Sequence, residues 1–91
     1  MFSFDISDEL KAILSKLSKK DPVRTVIIYK KIEQIISCDK KSIEHYKNLR
    51  SDLAEYKRVH IDKSFILLFK VTKPKNHILF DKLKHHDDAY K

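Results

Sequence analysis

The sequence predicts an α+β domain in which an N-terminal strand and a helical hairpin pack on a three- to four-stranded antiparallel sheet. Three observations predict it. Two stretches before Cys38 carry apolar side chains at helical spacing, with Asp21-Pro22 between them. Strand patterning is concentrated after Leu53, where alternating and continuous apolar runs follow one another. The links between those runs are too short for crossovers, so the strands must form an antiparallel meander.

Residues 1–5 open the chain with Phe2 and Phe4 at strand spacing, which predicts a short edge strand. Asp5 or Ser7 can cap the helix that follows, and Asp8 and Glu9 suit its positive N-terminal end. Leu10, Ile13, Leu14 and Leu17 then form one apolar stripe, with Lys11, Lys16, Lys19 and Lys20 off it. Asp21-Pro22 reads as an N-cap and first helical position, because proline has no N–H to leave unsatisfied there. The second helix is expected from Pro22 to about Ser37, with Val23, Val26, Ile27, Ile32, Ile35 and Ile36 as its core face. Two amphipathic helices joined by so tight a link make a hairpin packed on a sheet.

Periodicity fades between Cys38 and Asp52, a cationic loop (Lys40, Lys41, Lys47, Arg50) that Ile43, Tyr46 and Leu49 tack to the core. Tyr56 to Asp62 alternates, so that Val59 and Ile61 face one way and Tyr56, Arg58 and His60 the other. Asp62-Lys63 is a turn. Ser64 to Val71 is apolar on both faces and is expected to be a central strand. Lys73-Pro74-Lys75-Asn76 is a polar hairpin turn, and the last strand runs from His77 to about Leu83. The tail from Lys84 holds His85, His86 and Tyr90 and is expected to form a helical turn. Residues 1–91 show no internal repeat and no linker, so a single domain is expected.

A hydrophobic content of 42% argues against disorder. The apolar run from Phe65 to Phe69 is far too short for a bilayer span. Asp5 and Asp8 stand where an export signal needs cations and a long apolar stretch, so no export signal and no membrane are expected. The lone Cys38 excludes an internal disulfide and a cysteine-based zinc site, and suits a reducing cytoplasm. Twenty Lys and Arg against thirteen Asp and Glu leave a net charge of +7, which favours polyanionic partners. The chain contains no glycine, so its turns must put other residues into the left-handed region.

Four of the five histidines lie in the last third of the chain or at its border. In a meander, the end of the third strand lies near the start of the second and hence near the end of the first. His60 can therefore come within reach of His86. Two imidazoles flanked by Arg58, Lys63 and Lys84 are what metal-free RNA cleavage requires. One removes the 2′-OH proton, the other protonates the departing 5′ oxygen, and cations stabilise the phosphate. A histidine titrating near an unperturbed pKa of ~6.5 supplies both protonation states at neutral pH. His85 is a further RNA-facing candidate. Adjacent histidines at a strand end face apart, and there is no HxxxH spacing, so neither a metal site nor any cofactor is expected. Tyr90 is either a base-stacking residue or a clasp that pins the tail. His45 and His77 are expected to be surface residues without partners.

The stretch HYKNLRSDLAEYKRVHIDKSFILLFKV, the later ILFDKLKHHDDAY and the two preceding helices resemble the RelE/ParE superfamily of type II toxins, and within it the YafQ-like branch. The shared pattern is a loop ending in Leu53, the strand Tyr56-Lys57-Arg58-Val59-His60, an apolar strand, and His86 four residues before Tyr90. The resemblance implies a ribosome-dependent mRNA endoribonuclease, neutralised by an acidic antitoxin and touching operator DNA only through the antitoxin complex. It matches His60 and His86 to the branch's strand and C-terminal histidines, and Tyr90 to its terminal aromatic. Lys47 stands where the branch has a loop histidine, and Lys84 where RelE has an active-site arginine. Arg50, Arg58, Lys63 and His85 complete the expected RNA-binding set. Ser64-Phe65 replaces an Asp-Trp pair, so the acidic partner of His60 is missing at that position, and either Asp62 substitutes for it or no carboxylate does. Ala54-Glu55 stands in place of a loop glycine. A ParE-like gyrase poison on the same scaffold, or a non-catalytic basic module that binds nucleic acid or antitoxin, would need no histidine pair.

Overall fold

The computed structural model describes residues 1–86. Strand β1 (Ser3–Ile6) leads into helix α1 (Asp8–Lys20) and helix α2 (Pro22–Ile36), and a loop then feeds β2 (Lys57–Ile61), β3 (Phe65–Thr72) and β4 (His77–His85). The last three strands are the expected antiparallel meander. The first strand joins it in parallel, alongside β4, so the sheet is mixed with order β1-β4-β3-β2. That parallel pairing is open to β1 because two helices, a long loop and strands β2 and β3 separate it from β4, which is ample chain for a crossover.

Local chemistry sets each helix end. Ser7 caps α1 by accepting the Leu10 N–H, and Asp21 caps α2 by accepting the Arg24 N–H with Pro22 in the first turn. Leu10 and Leu14 of α1 are buried, as the stripe predicts. On α2 the phase differs from the expectation. Thr25, Ile28, Ile32 and Ile35 are buried, whereas Val23 and Val26 are 71% and 52% exposed and Ile27 is also exposed. The first half of α2 sets apolar Val23, Val26, Ile27 and Ile28 around much of the helix, with the polar Thr25 on the buried side, so its composition leaves the phase open. Ile32 and Ile35 determine it, and stepping back by helical spacing from Ile32 reaches Ile28 and Thr25. The Thr25 hydroxyl is satisfied inside the helix by donating to the Asp21 carbonyl.

Strand β3 is covered on both faces. Leu67 and Phe69 belong to the main core with Leu10, Ile28, Ile32, Ile35, Ile78 and Phe80, beneath the helices. Ile66 and Leu68 face the other way, into a smaller cluster with Leu49, Leu53 and Tyr56 from the loop. Three turns use left-handed residues in place of glycine: Ser51 (φ 59°), Asp62 (φ 48°) and Asn76 (φ 52°). Asp62 accepts the Ser64 N–H, and the Asn76 amide donates to the Met1 carbonyl, so two of the three offset their strain with hydrogen bonds.

His77 has partners, contrary to expectation. Its Nδ1 lies 2.8 Å from the Ser3 hydroxyl and its Nε2 3.2 Å from the Asp5 carboxylate. The parallel register sets Ser3 opposite His77, so the histidine helps hold β1 on the sheet.

Ile28→Ala is expected to cost about 2–5 kcal/mol and Val23→Ala less than about 0.5 kcal/mol, measured by urea denaturation. Equal costs would mean that α2 is rotated from the orientation described. Ser51→Gly is expected to stabilise by about 1 kcal/mol, because it removes a β-carbon from a left-handed position.

Candidate active site

The pleat of β2 sends Val59 and Ile61 toward the helices and His60 to the opposite face, where it is exposed. His60 is paired with Ile66 on β3, and Ile66 with Lys84 on β4. Residues opposite one another share a face, so His60 and Lys84 flank the buried Ile66, roughly 10 Å apart across two strand spacings. Arg58, Leu68 and Lys82 form the adjacent row. Past the end of β4 the His86 N–H donates to the Ser64 carbonyl at 2.9 Å. That bond brings the His86 ring over to His60, with centroids 5.6 Å apart and planes inclined by 35°. The two expected imidazoles therefore meet on one face of the sheet end.

The remaining predicted residues divide. The Lys47 carbonyl accepts the Arg58 N–H at 3.0 Å, which lays this loop cation along the edge of β2. Arg50 and Lys63 are exposed, Arg50 just before the Ser51–Leu53 turn and Lys63 directly after β2. His85 is not brought to the pair. It is paired with Phe65, and their rings make an edge contact at 5.7 Å between centroids. Phe65 packs with the helix-side core, so His85 lies on the other side of the sheet. Lys84 belongs to β4 and not to a helical turn, because the last strand extends to His85. Tyr90 lies outside the described residues.

Asp62 is committed elsewhere. It accepts the Ser64 N–H at 2.7 Å and the Arg24 guanidinium at 2.9 Å. The Ser64 N–H first, and the Arg24 side chain second, hold its carboxyl below the usual aspartate range. It acts as a turn-former and an anchor for α2.

Lys57 carries a structural role that alternation alone hides. Nearly buried, its ammonium donates to the Tyr46 carbonyl and the Asn48 side chain, both at 3.0 Å. Asn48 is bridged to Lys57 along the backbone as well, so this lysine ties down the loop that carries Lys47. A buried ammonium must find acceptors, and a lysine at an inward strand position is the sequence signal for such a tie. A shallow cleft of about 470 Å³ lies beside it, lined by Glu44, Asn48, Lys57, Thr72 and Lys73 among others. The cleft is at the Thr72 end of the sheet, away from the histidine pair. Glu44 pairs with both Lys57 and Lys73 there, so its charges are largely neutralised from within. Among the described residues, no group of three or more His, Cys, Asp or Glu side chains gathers to hold a metal ion. No helix among them is long and apolar enough to cross a membrane.

No family model matches the chain. RelE4 of Methanocaldococcus jannaschii, assigned as a toxin, is 44% identical over 91 residues, which span all of this chain and 93% of that protein. The chain belongs to the RelE toxin family. It is thereby the toxin component of a toxin–antitoxin pair, and its family implies an antitoxin partner. An uncharacterised protein of Methanosarcina mazei is 33% identical over 90 residues, spanning 99% of this chain and all of that one. The fold is that of solved toxins. YafQ of Escherichia coli superposes with a TM-score of 0.73 at 15% identity, with both chains fully covered. A metal-bound toxin of Helicobacter pylori does so at 0.74 and 19% identity, over 97% of this chain and 98% of the other.

The Asp62 anchor has a defined pH dependence. A carboxyl depressed in the folded state stabilises fully above its ordinary value of 3.8 and loses that effect as pH falls through the folded value. Asp62→Asn is therefore expected to lower the urea midpoint at neutral pH, and the gap to the parent should close on acidification.

Proposed function

We propose that this toxin cleaves mRNA on the ribosome, with His60 and His86 as its acid–base pair and no metal or other cofactor in the reaction. The observation that carries the reading is the meeting of those two rings on one face with Lys84 in the same cross-strand row as His60. Rings this close can both reach one phosphodiester through hydrogen bonds of about 2.6–3.2 Å. One imidazole takes the proton of the 2′-OH, whose oxygen attacks the adjacent phosphorus. The other gives a proton to the 5′ oxygen as the P–O5′ bond breaks. The products are a 2′,3′-cyclic phosphate and a 5′-hydroxyl. Lys84 stabilises the added charge on the phosphate oxygens.

Lys47, Arg50, Arg58 and Lys63 supply phosphate contacts along the RNA on either side of the scissile bond, and Tyr90 a stacking surface for a base. His85 has no part in the RNA contacts of this reading. The basic face also suits the acidic antitoxin, whose flexible segment would fold across it and exclude RNA. Operator DNA would then be bound through the antitoxin complex.

His60→Ala and His86→Ala are each expected to reduce ribosome-programmed mRNA cleavage by about 10²–10⁴-fold with an unchanged circular dichroism spectrum. Both should relieve growth arrest on expression. Full cleavage by both variants would sink the acid–base assignment. Inhibition of gyrase supercoiling without any mRNA cleavage would identify a ParE-type poison instead.

A further inference from the structure

Strand β4 changes face part-way along. Ile78 and Phe80 point into the helix-side core, yet so does Leu83. An uninterrupted strand alternates, and would put Leu83 on the opposite face and Lys82 and Lys84 in the core. The ladder avoids this by a shift between Leu68 and Phe69. Phe69 pairs with Phe80, Leu68 pairs with Lys82, and Asp81 is the extra residue between them. This β-bulge turns Lys84 toward the face of His60, and the strand end beyond it delivers His86.

Three hydrogen bonds hold the bulge. The Ser7 N–H donates to the Phe80 carbonyl at 2.9 Å, and the Ser7 hydroxyl to the Asp81 carbonyl at 2.7 Å. The Tyr56 hydroxyl donates to the Asp81 carboxylate at 2.5 Å. Tyr56 is itself fixed, being 6% exposed, packed with Ile66 and Leu68, and covered by the Lys70 ammonium 4.7 Å above its ring. The Asp81 hydrogen bond, with burial second, pushes the phenol above its usual range, so Tyr56 remains a donor throughout neutral pH.

We propose that Tyr56 and Asp81 are positioning residues, whose hydrogen bond sets where β4 bulges and so holds His86 and Lys84 in register with His60. The catalytic part of the proposal rests on the ribonuclease reading, whereas the geometric part stands without it. The apolar faces of β4 already favour a bulge somewhere in this stretch, so losing the Tyr56–Asp81 bond should leave the fold standing. What should be lost is the aim of the strand end. Bulges re-aim the side chains that follow them, so a loosened bulge displaces the His86 ring while the apolar pattern keeps the faces of β4 as they are.

The test compares Tyr56→Phe, Asp81→Ala and Asp81→Asn in the full chain, by NMR and by ribosome-programmed cleavage. Asp81→Asn keeps an oxygen acceptor for Tyr56 and should behave as the parent. Tyr56→Phe and Asp81→Ala should lose the nuclear Overhauser contact between the His60 and His86 rings, with chemical shifts of the helices unchanged. Their kcat should fall about 10²-fold with KM nearly constant, the scale expected for a displacement of about 1 Å at reacting groups. Retention of the ring contact and of kcat in both variants would overturn the proposal. So would a fall in kcat that merely tracks the folded fraction. A parent protein that cleaves no RNA would refute the ribonuclease reading, and the ring-contact series would still decide the role of Tyr56 and Asp81.

Discussion

A strand that is apolar on both faces must be covered on both faces, and β3 makes that demand of this chain. Ile66, Leu67, Leu68 and Phe69 are all fully buried in succession. Each large side chain removed from water contributes about 1.5–3 kcal/mol, so neither face of β3 can be left wet. The helical hairpin covers one face. The other is covered by a loop, and a loop of this length reaches only part of the way. Leu49, Leu53 and Tyr56 roof Ile66 and Leu68. Beyond that roof, on the flanking strands, the polar His60 and Lys84 replace apolar neighbours. The candidate site is thus the margin where cover ends and the sheet's polar flanks begin.

Most of the fold was legible because its signals were local. Ser7, Asp21 and Pro22 mark helix ends through groups within one turn of themselves. The meander followed from links too short to allow anything else. The face of α2 was not legible, since Val23, Val26, Ile27 and Ile28 surround much of its first half and the polar Thr25 turns inward. The parallel pairing of β1 was equally hidden, because it joins residues more than seventy positions apart and depends on Ser3 and Asp5 meeting His77.

The site was legible in part. His60 and His86 could be paired from topology alone, because a three-strand meander returns its last strand to the neighbourhood of its first turn. Lys84 lies on the face of His60 in a setting the sequence did not indicate, as strand replaced helical turn. The bulge at Asp81 explains that difference. It breaks the alternation that would have marked His77 to His85 as one strand, so the strand pattern in the sequence stops near Leu83. Asp62 looked available for His60 in sequence, and only the packing of α2 against β2 shows that Arg24 already holds it. The absence of glycine was read correctly as a cost at turns, which Ser51, Asp62 and Asn76 carry.

The adjacent His85 and His86 also show how one strand end can divide packing on one face from presentation at the candidate site on the other. The pleat forces neighbouring side chains onto opposite faces. His85 goes to the helix side and packs on the edge of Phe65, whose ring lies 4.9 Å from the Arg24 guanidinium. Arg24 in turn binds Asp62 at the end of β2, so α2, the turn after β2 and the end of β4 are joined through one stack. A ring contact of this kind is worth about 0.5–1.5 kcal/mol beyond burial, enough to restrain the last residue of a strand. The next residue, His86, is then presented on the opposite face with its backbone already tied to Ser64. On this view the first histidine contributes by packing, and it limits where the second can go.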